Sequence, residues 1–229
     1  MPSFDIVKQI ESKNSFRVAS ICGMFDLQTR KIIERFKGNI EIEDKKWNIG
    51  VIYGASGTGK TSIAKDIFKN EYIKEFVYGD ESIVEEMPKY CETKEIVKMF
   101  SSIGFASPPS WLKPYSVLSM GERMRVDLAR SILEKRDLIV FDEYTSTINR
   151  EVAKFGSAAL QKAIRKQDKK FVAVTCHYDV LEWLEPDWVF CTDDMKFFFV
   201  QENTKGLKLK SMFMNAKQKY GNCLGNITI

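Results

Sequence analysis

An α/β fold built on a mostly parallel sheet is the class this sequence predicts, on three observations. Short runs with apolar interiors recur at "NIGVIY" (48–53), "DLIVF" (137–141) and "FVAVT" (171–175), the pattern of strands covered on both faces. Segments with helical spacing separate them, at 61–69, 121–135 and 151–166. The resulting order of strand, helix, strand, helix, strand calls for right-handed crossovers with helices flanking the sheet. A sheet of that kind gathers its functional groups beyond the carboxyl ends of its strands.

Residues 1–47 form a small amino-terminal antiparallel β-subdomain on this reading. "FRVAS" (16–20) and "IEIED" (40–44) alternate apolar and polar side chains like half-buried strands. The core occupies 48–80 and 119–200, and a reduced helical insert occupies 81–118. The insert closes with "ASPPSWLKPYS" (106–116), whose three prolines forbid a helix running through it. "GERMRVDLARSILEK" then places Val126, Ala129, Ile132 and Leu133 at helical spacing. "DWVFC" and "KFFFVQ" read as later strands, and 201–229 is a carboxyl-terminal extension.

A chain of 229 residues is long enough for one substantial core. Hydrophobic residues at 44% and charged residues at 29% fit a globular protein. No apolar run approaches the roughly 18 residues of a membrane span, so no membrane insertion is expected of this chain itself. The start, MPSFDIVKQIESK, lacks a secretory pattern. Five scattered cysteines without a CxxC pair read as reduced thiols, and the expected location is the cytoplasm. A formal charge of +4 does not establish a nucleic-acid partner. The segment 205–219 carries five lysines and no acid, which a solvated face explains equally well.

Between the first apolar run and the first helix stands Gly54-Ala55-Ser56-Gly57-Thr58-Gly59-Lys60-Thr61, which fits G-x-x-x-x-G-K-[ST] at every position. Its glycines let backbone N–H groups wrap a β-phosphate, with the positive end of the following helix aimed at the same point. Lys60 is expected to reach the β- and γ-phosphates, and the Thr61 hydroxyl to bind Mg²⁺. Ser62, next in the helix, joins the expected nucleotide-binding set. The loop resembles that of P-loop NTPases, which implies a P-loop NTPase fold with a nucleoside triphosphate and Mg²⁺ as ligands, and by itself it leaves open which phosphate chemistry it serves.

"DLIVFDE" brings two acids to the end of a strand 82 residues beyond Lys60. Asp142 stands where a carboxylate would hold the metal. Glu143 stands where one could take a proton from an attacking water; a solvated acidic turn is the alternative. In "VLSMGE", Ser119, Gly121 and Glu122 open a helix, where a hydroxyl and free N–H groups make a second anion site. Ser119 is also a plain N-cap residue there.

These motifs resemble those of ABC-type ATPases, in family order. GASGTGKT resembles Walker A, LSMGE the LSGGQ signature, DLIVFDE the Walker B strand with its glutamate, and EYTSTIN the D-loop EPTSALD. His177, after "FVAVTC", stands at the switch histidine. "GMFDLQ", "PSWLKPYSVLS", "DEYTS" and "VAVTCHYDVLEWLEPDW" further resemble small stand-alone ABC-type ATPases of bacteria and phages. The resemblance implies Lys60, Glu143 and His177 as catalytic residues, Glu143 as general base and His177 as γ-phosphate sensor. It implies a head-to-tail homodimer in which Ser119 and Gly121 close over the ATP held by the other subunit.

The match departs from the family in three places. No glutamine lies between Thr61 and Ser119 to serve as the metal-contacting glutamine of transporters, and Glu85 and Glu86 are the nearest substitutes, with Glu86 taken as a metal candidate. Only 59 residues separate Lys60 from Ser119. Tyr144 and Asn149 replace the D-loop proline and aspartate. Phe25 is the candidate for stacking on adenine. The reading is a soluble ATPase that switches or drives a macromolecular partner, protein or nucleic acid. Its alternatives are the ATP-binding subunit of a membrane transporter, and a small-molecule kinase with Arg123, Arg125 and Arg130 as a lid.

Overall fold

The computed structural model describes residues 3–11, 15–26, 31–73, 76–146 and 148–200. The chain opens with an antiparallel pair, β1 (Ser3–Glu11) and β2 (Lys31–Asn39), in register from Ser3 opposite Asn39 to Glu11 opposite Lys31. Between them lies helix α1 (Phe16–Met24), so the stretch 16–20 is helical and not a strand. Two facts explain the difference. The Ser15 hydroxyl accepts the Val18 N–H at 3.3 Å and caps the first turn. None of the helix's side chains is buried, so the apolar alternation had no sheet to select for it. The stretch 40–44 is not a strand either. Ile40 and Ile42 are buried as the alternation requires, but the Ile42 N–H turns back to the Ile40 carbonyl at 3.1 Å.

β3 (Ile49–Tyr53) is buried throughout and leads through the phosphate loop into α2 (Lys60–Phe68). β4 (Tyr72–Ile73) follows, then the insert with α3 (Ile83–Glu86), α4 (Thr93–Ser102) and the single turn α5 (Pro108–Trp111). The prolines at 108 and 109 sit in the first turn of α5, where a missing N–H costs nothing. α6 (Met120–Leu133), β5 (Leu138–Phe141), α7 (Arg150–Gln167) and β6 (Lys170–Thr175) come next. The described chain ends with α8 (Val180–Leu184), β7 (Trp188–Cys191) and β8 (Lys196–Phe199).

Six strands form one sheet in the order β4-β5-β6-β3-β7-β8, with β8 alone antiparallel to its neighbour. Alternate residues of β3 serve two cores. Ile49, Val51 and Tyr53 join the side covered by α4, α6, α7 and α8, together with Ile96, Phe100, Val126, Leu160 and Leu181. Ile52 points the other way, to Ile63, Phe68, Trp188 and the amino-terminal residues Phe4, Phe36 and Ile40. Each such buried side chain contributes about 1.5–3 kcal/mol relative to exposure, so both faces lock the strand that carries the phosphate loop. No helix of the described residues is long and apolar enough to cross a membrane.

Candidate functional site

The phosphate loop is held from both sides. Gly59 has φ +84°, a conformation that favours glycine, and a Cβ there would meet the Phe36 ring of β2 at 2.7 Å. The amino-terminal sheet thus packs directly under the start of α2. Inside the loop the Lys60 ammonium and the Thr58 hydroxyl both donate to the Ala55 carbonyl, at 2.6 and 2.8 Å. The Ile63 N–H closes the first helical turn on the Gly59 carbonyl.

Thr61 and Asp142 meet at the carboxyl edge of the sheet. The Thr61 hydroxyl donates to Asp142 Oδ2 at 2.9 Å, and the Tyr72 hydroxyl donates to the same oxygen. Asp142 is buried. A hydroxyl and a carboxylate side by side are hard oxygen donors of the type Mg²⁺ takes. Mg²⁺ fills most of its shell with water and substrate phosphate, so one or two protein oxygens suffice. The described residues hold no cluster of three or more His, Cys, Asp or Glu suited to a metal. Glu86, the other metal candidate, lies on α3, where its Oε1 accepts the Gly79 N–H at 2.8 Å. It shares no hydrogen bond with Thr61 or Asp142 among the described residues.

Beyond Asp142 the backbone turns sharply. Glu143 and Thr145 both have positive φ, +50° and +67°. Tyr144 between them is fully buried, its N–H on the Val174 carbonyl and its hydroxyl 2.8 Å from Ser157 Oγ. This anchor leaves the Glu143 side chain exposed, with Oε2 accepting the Ser146 hydroxyl at 2.6 Å. Tyr144, expected at the D-loop proline position, is a core residue. Asn149, expected at the aspartate position, is the N-cap of α7 and accepts the Glu151 N–H at 2.8 Å.

Thr145 ties this turn to the histidine. Its Oγ1 lies 3.3 Å from His177 Nδ1 and accepts Arg150 Nη1 at 3.2 Å. Arg150 is in turn paired with Asp179. Burial, helped by the Arg150 charge, pushes the His177 pKa below its ordinary value, so the ring is neutral near pH 7. Thr145 accepts from Arg150 and still has its hydroxyl proton to give, so it can donate to Nδ1, and in that tautomer Nε2–H is a donor.

The signature segment is a closed capping box. Ser119 Oγ accepts the Glu122 N–H at 3.4 Å and donates to Glu122 Oε2 at 2.7 Å, while that carboxylate also accepts the Ser119 N–H. Hydrogen bonding to Ser119 holds the Glu122 carboxyl below its usual range. Glu122 thus places a negative charge at the amino end of α6. Between α6 and the end of β5 lies a cavity of about 180 Å³ that includes Arg123, Asp127, Glu143 and Thr145 in its lining.

The three lid candidates are committed within the chain. Arg123 donates to the Ser116 carbonyl and lies over the Tyr115 ring. Arg125 donates to Gly121 in its own helix at 3.2 Å. Arg130 donates to the Val77 carbonyl and stacks on Phe76 and Tyr78. Phe25 is 71% exposed at the end of α1, and it makes no ring contact among the described residues. The structure adds Tyr72, Thr145, Arg150 and Asp179 to the residues expected from sequence. Thr145 and Asp179 stand within stretches that carry the resemblance, but no role was expected of either, and Tyr72 and Arg150 lie outside those stretches.

No protein-family profile matches the chain. Over 110 residues, 47% of this chain, it is 29% identical to ABC multidrug transporter E of Aspergillus fumigatus. Over 57 residues, 25% of this chain, it is 35% identical to the ABC-type transporter kk1G of Curvularia clavata. The matched segments span only 9% and 4% of those proteins. Among solved structures it is similar to cbiO1 of Clostridium perfringens, part of the ABC transporter complex cbiONQ, at TM-score 0.58 and 14% identity over 95% of this chain and 96% of that one. The ATP-binding cassette MJ0796, solved as a post-hydrolysis dimer bound to ADP and Pi, gives TM-score 0.58 and 14% identity over 86% and 99% of the two chains. MJ1267, an ATP-binding cassette of an ABC transporter solved in its ADP conformation, gives TM-score 0.55 and 10% identity over 93% and 96%. The P-loop α/β core, its amino-terminal antiparallel sheet and these likenesses together give the chain the fold of the ATP-binding cassette of ABC-type ATPases.

Proposed function

We propose that this chain binds Mg-ATP and transfers its γ-phosphoryl group to water, in a head-to-tail homodimer with two ATPs between the subunits. The observation that carries the reading is the convergence of Thr61 with Asp142, and of Thr145 with His177, beside Glu143 at one sheet edge. In this reading the loop from Gly54 to Thr61, with Ser62, cradles the triphosphate, and Lys60 faces the β- and γ-phosphates. Thr61 and Asp142 hold Mg²⁺, which neutralises charge on the transferred phosphoryl group when bound. Glu143 takes a proton from the attacking water, and His177 Nε2–H donates to the γ-phosphate. Ser119 and Gly121 of one subunit close on the ATP of the other once Ser119 exchanges its Glu122 hydrogen bond for one to phosphate. Phe25 is the proposed adenine contact, and its exposure fits that role.

Two destinations for the resulting work are supported by different observations. The short insert and the missing glutamine favour a soluble switch acting on a protein or nucleic acid. The transporter names of the similar proteins favour an ATP-binding subunit whose permease is a separate chain. The arginines that a kinase lid would need are already engaged on α6 and its neighbours. Calorimetric titration of wild type and Lys60→Ala with Mg-ATP, alongside release of inorganic phosphate, tests the core reading. Binding and phosphate release by wild type with loss of both in the variant supports it, and equal affinity in the two proteins overturns it.

A further inference from the structure

The turn joining β7 to β8 reaches back into the phosphate loop. Asp193, the second residue of that turn, accepts the Ala55 N–H on Oδ1 at 3.0 Å and on Oδ2 at 3.3 Å. Oδ2 also accepts the Tyr178 hydroxyl at 3.3 Å and lies 3.9 Å from Cys191 Sγ. The preceding residue, Thr192, has its hydroxyl 2.5 Å from that of Thr58 and 3.2 Å from the Tyr53 carbonyl. The approach is so close that a Cβ on Gly54 would collide with Thr192 Oγ1. Gly54 is therefore required by this contact as well as by the phosphate cradle.

Tyr178 extends the contact to the histidine. It follows His177 directly, is buried, and sets its ring edge-on against Tyr53 at 5.6 Å. Tyr53 is the last residue of β3 before the loop. The His177 N–H is fixed in turn by Thr175 Oγ1 at 3.0 Å. A continuous chain of contacts thus runs from the expected γ-phosphate sensor, through Tyr178 and Asp193, to the backbone of the phosphate loop.

We propose that Asp193 is a positioning residue of the nucleotide site, fixing the phosphate loop through the Ala55 N–H, with Tyr178 as its link to His177. The inference rests on the ATP-binding reading above. A glycine-rich loop has much conformational freedom to lose when it orders on a ligand. A carboxylate that holds its start removes part of that cost before the ligand arrives. The bond is charge-assisted and so stronger than a neutral one. A carboxylate near a triphosphate also repels it. The two effects have opposite signs, and they separate experimentally because an amide keeps the acceptor while losing the charge.

The test compares Asp193→Ala, Asp193→Asn and Tyr178→Phe with wild type, reading KM for ATP, kcat and melting temperature. Losing a charge-assisted hydrogen bond predicts a rise in KM of about tenfold for Asp193→Ala. Its kcat should stay within about threefold, because no group at the reacting phosphorus is touched. Asp193→Asn should return KM to within about threefold of wild type, since the amide oxygen still accepts the Ala55 N–H. Tyr178→Phe should raise KM by at least about twofold through the weakened hold on Asp193. KM unchanged in Asp193→Ala, or raised equally in the alanine and asparagine variants, overturns the inference. Should Asp193→Ala fail to fold, an unchanged KM in Tyr178→Phe together with a raised KM in Asp193→Asn overturns it. A wild type that neither binds nor hydrolyses ATP overturns the functional reading itself. Wild-type activity with unaffected variants removes the Asp193 assignment alone.

Discussion

Thr61 Oγ1 lies 2.9 Å from Asp142 Oδ2, so the head of α2 and the end of β5, 81 positions apart in sequence, share one hydrogen bond. Tyr72, from the edge strand β4, donates to the same carboxylate oxygen. The sheet order makes the contact possible. β6 alone separates β5 from β3, so the acids at the end of β5 reach the mouth of the loop that follows β3.

Thr61→Val keeps the shape and removes the hydroxyl. ATP affinity measured with Mg²⁺ should fall by about tenfold, while affinity measured in excess chelator stays at the wild-type value. An equal fall in both titrations would show that Thr61 contributes to the cradle and not to the metal.

Thr145→Val removes the hydroxyl beside His177 Nδ1 and one Arg150 contact. If that hydroxyl fixes the tautomer, kcat should fall by roughly tenfold or more, the low end of what a misplaced proton donor costs. KM should change little. The ring of His177, the one histidine of the chain, should titrate by NMR below the ordinary histidine range, because burial and Arg150 lower its pKa. A midpoint at or above 6.5 would contradict the neutral imidazole.

Asp127 gives a stability prediction with a definite sign. Burial pushes its carboxyl up to about 6, against the hydrogen bonds from Tyr78 at 2.7 Å and Tyr115 at 2.8 Å and the nearby Arg130 and Arg123. An acid with a raised folded-state pKa holds its proton more tightly when folded, so the unfolded chain releases it first as pH rises. The contribution is therefore greatest at low pH and is lost as pH rises from about 4 to 6, with no further change above that. Two units correspond to about 3 kcal/mol. Asp127→Asn removes this slope, and the difference in unfolding free energy between the two proteins over pH 4–7 measures it.

What the sequence made legible followed period and motif. The apolar runs at 48–53, 137–141 and 171–175 became β3, β5 and β6, and the glycine loop between strand and helix needed only its own eight residues. The amino-terminal region was harder. Five residues of "FRVAS" fit both periods, and a serine cap decided for helix where no sheet offered a partner. The contacts of Asp193 with Ala55, Thr145 with His177 and Arg150 with Asp179 were invisible because each joins segments that only the fold brings together. The capping box at Ser119 was readable in S-x-x-E, yet its consequence, a helix terminus already holding a carboxylate, appears only in the geometry.

Ser119→Arg places a bulky charge where two subunits would meet. It should leave ATP affinity of the monomer within about twofold and stop turnover. Mixing it with Lys60→Ala should recover part of the activity, because one composite site of the mixed dimer then carries both lesions and the other neither. No recovery, with mixed dimers shown to form, would contradict independent composite sites.

The most direct measurement is the mass of Glu143→Gln by light scattering, without nucleotide, with ADP, and with saturating Mg-ATP. The amide keeps the size of Glu143 but cannot take the proton, so turnover should fall by roughly 10² or more. The ATP-bound state then accumulates and draws subunits together by mass action. The account predicts a monomer without nucleotide or with ADP, and a dimer with Mg-ATP. A variant that stays monomeric at saturating Mg-ATP, or that hydrolyses ATP at the wild-type rate, would contradict it.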